Sequence, residues 1–298
     1  MSWSEDRIHR ALGAGARPRG LAGSRGHDAA VLARIEGLPV VCVDACIEGV
    51  HFTSAVSPRA AGGKACARAL SDLAATAARP RAVVLALSVP RQCSEAWILG
   101  AIAGVRAMAR AHGADLVGGD LAAATGPAQC TVTALGEYAG AGRPPGRDRA
   151  RAGQAVVLTG PTGGSILGRH LRIAPRIEQG IRLHALGATA LMDVSDGLAW
   201  DLFRLARASS LRIELDMSAV PIHRDARKLA RRTGAAPWEH ALHDGEDHEL
   251  VATMPKLAAT RAGARPIGRV VRGTGLELVF ADKRVEWSPA MGGWKHGA

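Results

Sequence analysis

The sequence predicts an α+β protein of two halves, each mixing strands with helices. Three observations carry this. Apolar runs of strand length, such as LPVVCVD at 38–44, alternate with alanine-rich or amphipathic stretches of helix length. A segment dense in Gly, Pro and Arg, GAGRPPGRDRARAG at 140–153, reads as a connection near the middle of the chain. After it the mixture resumes, so an α+β or α/β order occurs twice, without a sequence-level repeat.

Taken in order, 5–12 reads as a helix, followed by a Gly/Arg-rich loop and a turn at 26–31. A strand is expected over 38–44, continued by 46–52 through a turn at Glu48-Gly49. Ser57-Pro58 is a helix N-cap with proline at the first helical position, and Arg79-Pro80 stops that helix. A strand over 81–89 precedes a helix from Ser94 to His112, with Trp97, Ile98, Ile102, Val105 and Met108 on one face. Strands follow over 115–120 and 129–137. The second half reads as strand 155–159, a glycine-rich turn at 160–164, and helices over 165–171 and 176–186. Strand 190–194, helix 196–208, strand 211–215 and helix 223–233 come next. Strands over 249–253, 264–271 and 276–280 complete it.

Composition narrows the function. With 47% hydrophobic residues the chain can bury a core, and with 3% aromatics that core is Ala, Val and Leu. The net charge of +11 suits polyanionic ligands. The basic residues are scattered and not interleaved with aromatics, which argues against a nucleic-acid platform and for phosphate substrates. No apolar run reaches membrane-helix length, and the N-terminus lacks a signal-peptide core. Five cysteines without CxxC or zinc spacing point to reduced thiols and a cytoplasmic location.

Chemistry is carried by carboxylates. Asp44, Asp120 and Asp193 follow apolar runs, and Asp28, Asp72 and Asp196 lie among small residues. Strand ends meet at one sheet edge, and carboxylates gathered there repel unless a cation joins them. A hard divalent ion, Mg²⁺ above all, suits such a set. Single turn aspartates explain any one of these positions, but six in this placement favour metal. Asp193-Val194-Ser195-Asp196-Gly197 is the sharpest stretch, with Ser195 or Asp196 able to cap the following helix. HDGEDHE at 243–249 is a second acidic run. Standard phosphate loops are absent, although the amides of 160–164 could face a phosphate or simply form a turn.

The ordered motifs GHDAA (26–30), VDACIEGVHF (43–52), Lys64, LSDLAA (70–75), GGD (118–120), MDVSDGL (192–198) and GEDHEL (245–250) resemble thiamine-monophosphate kinase. That family belongs to the superfamily of aminoimidazole ribonucleotide synthetase and selenophosphate synthetase, and the resemblance runs from about residue 26 to the end. It implies a two-domain α+β fold. Residues 1–147 would be an ATP/Mg-binding and dimerisation domain that forms a β-barrel with its twin. Residues 148–298 would be the C-terminal domain, α+β in its mixture of strands and helices or, in a narrower description, α/β. It implies transfer of the γ-phosphoryl of ATP to thiamine monophosphate, with several Mg²⁺ ions. By motif match, Asp28, Asp44, Asp72, Asp120, Asp193 and Asp196 would bind metal. Gly119, Asp120, Arg147 and Ser195 would contact nucleotide. His51, Glu246 and Trp294 would contact thiamine monophosphate. Asp72, Asp196 and Arg147 would carry catalysis. A homodimer is implied, and neither nucleic acid nor membrane is an expected partner.

The chain departs from the family pattern at several places. His27 replaces the first aspartate of a pair, Cys42 and Val43 replace hydroxyl residues, and Ala45 and Leu121 replace threonines. Ala69 stands for an asparagine and His248 for a tyrosine. Two other readings stand beside the kinase: the same ATP site with another acceptor, and a non-catalytic nucleotide- or thiamine-phosphate-binding protein. The six retained carboxylates speak against the last of these.

Overall fold

The computed structural model describes residues 3, 4, 7, 8, 11, 18, 21–23 and 29–293. The chain forms two units. The first holds the described residues of Met1–Leu73 with Ala78–Tyr138 and Leu171–Ile173. The second holds Ala74–Ala77, Ala139–His170 and the described residues of Ala174–Ala298. The helix expected over 5–12 and the turn at 26–31 lie largely outside the described residues.

In the first unit β1 (Pro39–Ile47), β2 (Ala78–Pro90), β3 (Asp115–Ala124) and β4 (Gln129–Tyr138) form an open sheet in the order β1-β4-β2-β3. β4 is antiparallel to β1 and β2, and β3 is parallel to β2. Alternation decides the faces: Cys130, Val132, Ala134, Gly136 and Tyr138 of β4 are buried, while the residues between them are half-buried. Two helices pack on the buried face, α1 (Pro58–Ala75) and α2 (Glu95–Ala111). Cys42 Sγ donates to the Ala69 carbonyl of α1 at 3.1 Å, and α2 contacts β2 and β3. The caps follow the sequence. Ser57 Oγ accepts the Ala60 amide at 3.3 Å and Ser94 Oγ the Trp97 amide at 3.2 Å.

The helices cross backbone against backbone. A Cβ on Gly62 would stand 1.9 Å from the Ala101 carbonyl oxygen, and one on Gly104 2.1 Å from that of Arg59. This crossing shifts the buried stripe of α2 onto small residues, Ala101, Gly104 and Ala109 beside Ile98, Ile102 and Val105. Trp97 and Met108, expected on that face, are only half-buried. The first helix also ends earlier than expected, at Ala75, and β2 takes in Pro80. Pro80 precedes the β3 pairing, which begins at Ala82, and lies where the register with β4 slips. A residue without an amide N–H is tolerated at such a place.

The second unit holds β5 (Ala155–Leu158), β6 (Ala190–Asp193), β7 (Arg212–Asp216), β8 (Leu250–Met254), β9 (Arg265–Val271), β10 (Gly275–Val279) and β11 (Arg284–Trp287). They form one sheet in the order β11-β10-β7-β9-β5-β8-β6. Among its described pairings only β7–β10 is parallel, so of the two descriptions expected for this half α+β holds and α/β does not. β5, β6 and β8 are buried at every residue. The helices are α3 (Ile177–Ala185), α4 (Leu198–Ala208), α5 (Arg224–Thr233), α6 (Pro237–His243) and α7 (Lys256–Ala259). Leu198, Leu202 and Leu205 of α4 form a helical stripe in a core with Ile213, Leu215, Leu276, Leu278 and Trp287. The helix expected over 165–171 is two short 3₁₀ turns, Ser165–Leu167 and Arg169–Leu171, parted at Gly168. Among the described residues no helix is long and apolar enough to cross a membrane.

Candidate active site

The second unit folds its two acidic stretches onto each other. β6 ends at the buried Asp193, whose carboxylate lies 3.1 Å from His248 Nδ1. A carboxylate only accepts, so this nitrogen carries the proton. The Val194 amide donates to the Glu249 carbonyl at 2.8 Å, the His248 amide to Val194 at 2.8 Å, and the Glu246 amide to Ser195 at 2.7 Å. Two glycines make the approach possible. Gly197 has φ 114° and Gly245 φ 73°. A Cβ on Gly197 would stand 2.8 Å from the Leu242 carbonyl oxygen, and one on Gly245 2.7 Å from that of Ser195.

The capping expected of Ser195 or Asp196 is not what the structure shows. Gly197 is the N-cap of α4 and has no side-chain cap bond. Asp196 instead pairs with Arg204 in the second turn of α4. Asp201, which the sequence reading missed, has no exposed surface. One of its oxygens accepts the amides of Ser195 at 3.0 Å and Asp196 at 3.1 Å. Burial, then the charges of Asp196 and Asp193, push its pKa up to about 8, outweighing the Asp196 amide and Arg204. The available signal was an aspartate in the first turn of an otherwise apolar helix face.

The rest of the second acidic run is committed within the fold. Glu249 accepts from Arg176 Nε at 3.0 Å and from Thr159 Oγ1 at 2.6 Å. Asp247 is paired with Arg169 at 2.6 Å and accepts the Gly163 amide at 2.9 Å. Burial still pushes Asp247 up to about 7. Asp244 accepts the Gly164 amide at 2.7 Å. Of the amides of this glycine-rich turn, read as able to face a phosphate, those of Gly163 and Gly164 are thus bonded to carboxylates and that of Thr162 to the Pro221 carbonyl at 3.1 Å. Glu246 is left nearer the surface, 3.4 Å from His170 Nδ1. Arg147 is exposed in the connecting segment, its carbonyl accepting from Ser209 Oγ at 3.0 Å.

In the first unit the candidates separate. Asp44 lies within β1, not at a strand end, and Arg68 of α1 forks onto it with Nε at 3.1 Å and Nη2 at 2.9 Å. Asp120 lies within β3 and is exposed. Asp44 pairs across to the buried Val132, whereas Asp120 pairs with Ala86, whose neighbours Leu85 and Leu87 are the buried ones. The two aspartates therefore point to opposite faces, on the two edge strands, roughly 14 Å apart at three strand spacings. The expected meeting of strand-end carboxylates does not occur within this unit. Gly119 has a packing reason, since its Cβ would stand 2.1 Å from the Leu85 carbonyl oxygen. His51 Nδ1 accepts the Ile47 amide at 3.0 Å, and its carbonyl accepts from the buried Lys64. Asp72 lies partly exposed on α1. Asp28 and Trp294 lie outside the described residues.

The donor set of the second unit fits a hard divalent cation. Asp193 and Asp196 bring two carboxylates, the oxygen donors such an ion takes, to one turn, where the first accepts from His248 and the second from Arg204. Among the described residues no group of three or more His, Cys, Asp or Glu is assembled to hold a metal.

The family model for the AIR synthase related protein, N-terminal domain, matches residues 26–138. A thiamine-monophosphate kinase of Rhodopirellula baltica is 37% identical over 256 residues, covering 83% of this chain and 80% of that protein. The solved structure of AaThiL complexed with AMPPCP and TMP is 28% identical, with TM-score 0.79, covering 98% of this chain and 95% of that one. The structure of thiamine-monophosphate kinase from Stenotrophomonas maltophilia K279a is 33% identical, with TM-score 0.76, covering 93% and 97%. With its acidic turn in place and identity of this extent along most of its length, the chain belongs to the thiamine-monophosphate kinase family.

Proposed function

We infer that this protein transfers the γ-phosphoryl group of ATP to thiamine monophosphate, giving ADP and thiamine diphosphate. The observation that carries the reading is the 37% identity to a thiamine-monophosphate kinase over 83% of the chain. A structural relative that binds AMPPCP and TMP supports both substrates. An ionised phosphate acceptor needs no general base, which suits a site of carboxylates and arginines. Asp193 and Asp196 of the second unit would hold Mg²⁺, as would Asp28, Asp44, Asp72 and Asp120 of the first. For Asp44 this requires Arg68 to give way. Bound Mg²⁺ neutralises phosphate charge and aligns the transferring group. Gly119, Asp120, Arg147 and Ser195 would meet the nucleotide, with Arg147 offering its exposed guanidinium to phosphate. Asp72 and Asp196 would act with it in catalysis. His51, Glu246 and Trp294 would recognise thiamine monophosphate. Residues 1–147 would serve ATP binding and dimerisation and 148–298 the remainder, in a cytoplasmic enzyme. The test is ADP formation with ATP and Mg²⁺, with and without thiamine monophosphate. ADP is expected only with the acceptor present and is lost on chelating the metal. Equal ADP formation without acceptor would overturn the reading.

The positive thiazolium of the acceptor is suited to an aromatic face, an attraction of about 1–2 kcal/mol when partly desolvated. Trp294→Ala is therefore expected to raise KM for thiamine monophosphate by roughly 5–30-fold and to leave KM for ATP near its wild-type value. Steady-state kinetics varying each substrate would check this. A change confined to the ATP constant would reassign the residue.

A homodimer with a shared barrel is the reading we favour for the first unit's open sheet. β1 is an edge strand, and Val41 and Val43 on it are 69% and 62% exposed. An apolar edge left uncovered is an aggregation hazard, which a second copy removes. Sedimentation at micromolar concentration should give a dimer, and Val41→Glu with Val43→Glu should give a monomer. A monomeric wild-type chain would contradict the assembly.

A further inference from the structure

Asp201 sits in the first turn of α4, just past the acidic turn that leaves β6. Its carboxylate is wholly buried, and it spends one oxygen on the amides of Ser195 and Asp196, at 3.0 and 3.1 Å. Its other oxygen lies 3.4 Å from Arg204 Nη1, and the same nitrogen pairs with the Asp196 carboxylate. Arg204 is fixed in turn by the Trp200 ring, with the guanidinium 5.2 Å from the ring centroid. One buried side chain thus holds the turn by its main chain and, through Arg204, by the side chain of Asp196.

Helix capping does not account for this arrangement. The N-cap of α4 is Gly197, and the first helical bond runs from the Asp201 amide to the Gly197 carbonyl at 3.0 Å. The amides taken by the Asp201 side chain belong to residues one and two places before that cap. They are donors of the turn and not of the helix. Left without a partner, they would be free to rotate Ser195 and Asp196 away from Asp193.

We propose that Asp201 is a positioning residue for the Asp193–Asp196 turn, holding the carboxylates of Asp193 and Asp196 in the arrangement that receives a divalent cation with the nucleotide phosphates. This rests on the kinase reading above. Partners that orient metal-binding side chains from behind typically matter by about 10–100-fold in metal affinity. The bonds to the turn need one acceptor oxygen, which a carboxamide also supplies.

The experiment compares wild type, Asp201→Ala and Asp201→Asn as full-length chains. Mn²⁺ binding in the presence of ADP is titrated by calorimetry, and folding is followed by circular dichroism. Asp201→Ala is expected to weaken Mn²⁺ binding by about 10–100-fold while its spectrum stays that of the wild type. Asp201→Asn is expected to restore affinity to within about threefold of wild type, because the amide acceptor is back. If the alanine variant does not fold, the asparagine variant decides alone: folded with near-wild-type affinity it supports the proposal, and folded with affinity as weak as a variant lacking Asp193 it overturns it. A folded alanine variant that binds Mn²⁺ as tightly as wild type also overturns it, while the kinase reading stands. A wild-type chain that binds no Mn²⁺ with ADP overturns both, and ADP formation measured on the same sample tells the two failures apart.

Discussion

Asp72→Asn is expected to lower kcat for phosphoryl transfer by about 10³-fold or more, equivalent to ~4 kcal/mol, with little change in melting temperature. Ala69, Leu70, Ser71, Leu73 and Ala74 of α1 have no exposed surface, and Asp72 is the partly open position among them. It lies one turn beyond Arg68 on the same stripe, and Arg68 reaches Asp44 on β1. Asp72 therefore projects on the side of α1 that faces the edge strand. Asparagine keeps the volume and the hydrogen-bonding oxygen but removes the charge on which Mg²⁺ binding depends. Asparagine still offers an oxygen to neighbouring donors of the fold at this partly exposed position, so activity should fall much further than stability. Measured kcat, the Mg²⁺ dependence of the rate and the melting curve check this together. A variant with full activity and an unaltered Mg²⁺ requirement would remove Asp72 from the ligand set.

Much of this architecture could be read from local pattern, and the failures have a common cause. Ser57 and Ser94 cap helices as expected, because capping is settled within three residues. The acidic turn at Asp193–Gly197 follows a buried strand, as apolar run and glycine suggest. What went astray depends on partners distant in sequence. Asp44 and Asp120 look alike as aspartates in small-residue strands, yet the strand order β1-β4-β2-β3 and its register put them on opposite faces. The glycine-rich turn at 160–164 looks like a phosphate cradle until Asp247 and Asp244, some eighty residues later, take the amides of Gly163 and Gly164. The short α6 and β11, PWEHALH and RVEW, carry too few apolar residues to announce themselves, and Trp287 shows its place only through the core it joins. Asp201 escaped notice because an acid in a helix's first turn is ordinary, and only its burial and two amide bonds set it apart.

The neighbouring glycines of α1 are expected to respond to alanine with opposite signs. Alanine in a helix interior normally stabilises by about 0.5–1 kcal/mol relative to glycine, because the unfolded chain has less freedom to lose. Gly63 has room for this: its added Cβ would have a single neighbour, the Gly104 carbonyl oxygen, at 3.9 Å. Gly62 does not. Its Cβ would stand 1.9 Å from the Ala101 carbonyl oxygen, 2.7 Å from the carbonyl carbon and 3.0 Å from Cα. All three are backbone atoms of α2, which cannot turn aside as a side chain would. Gly104 faces the same seam from the other helix, where an added Cβ would stand 2.1 Å from the Arg59 carbonyl oxygen, so a parting of the helices at Gly62 opens that close approach too. Overpacking of this kind costs about 3 kcal/mol or more, which exceeds the helix-propensity gain several-fold. Gly62→Ala should therefore lower the melting temperature of the first unit by roughly 6–12 °C, and Gly63→Ala should raise it by roughly 1–4 °C. Differential scanning calorimetry of the two variants beside wild type checks both. Equal shifts of the same sign would mean that α1 and α2 do not meet at Gly62.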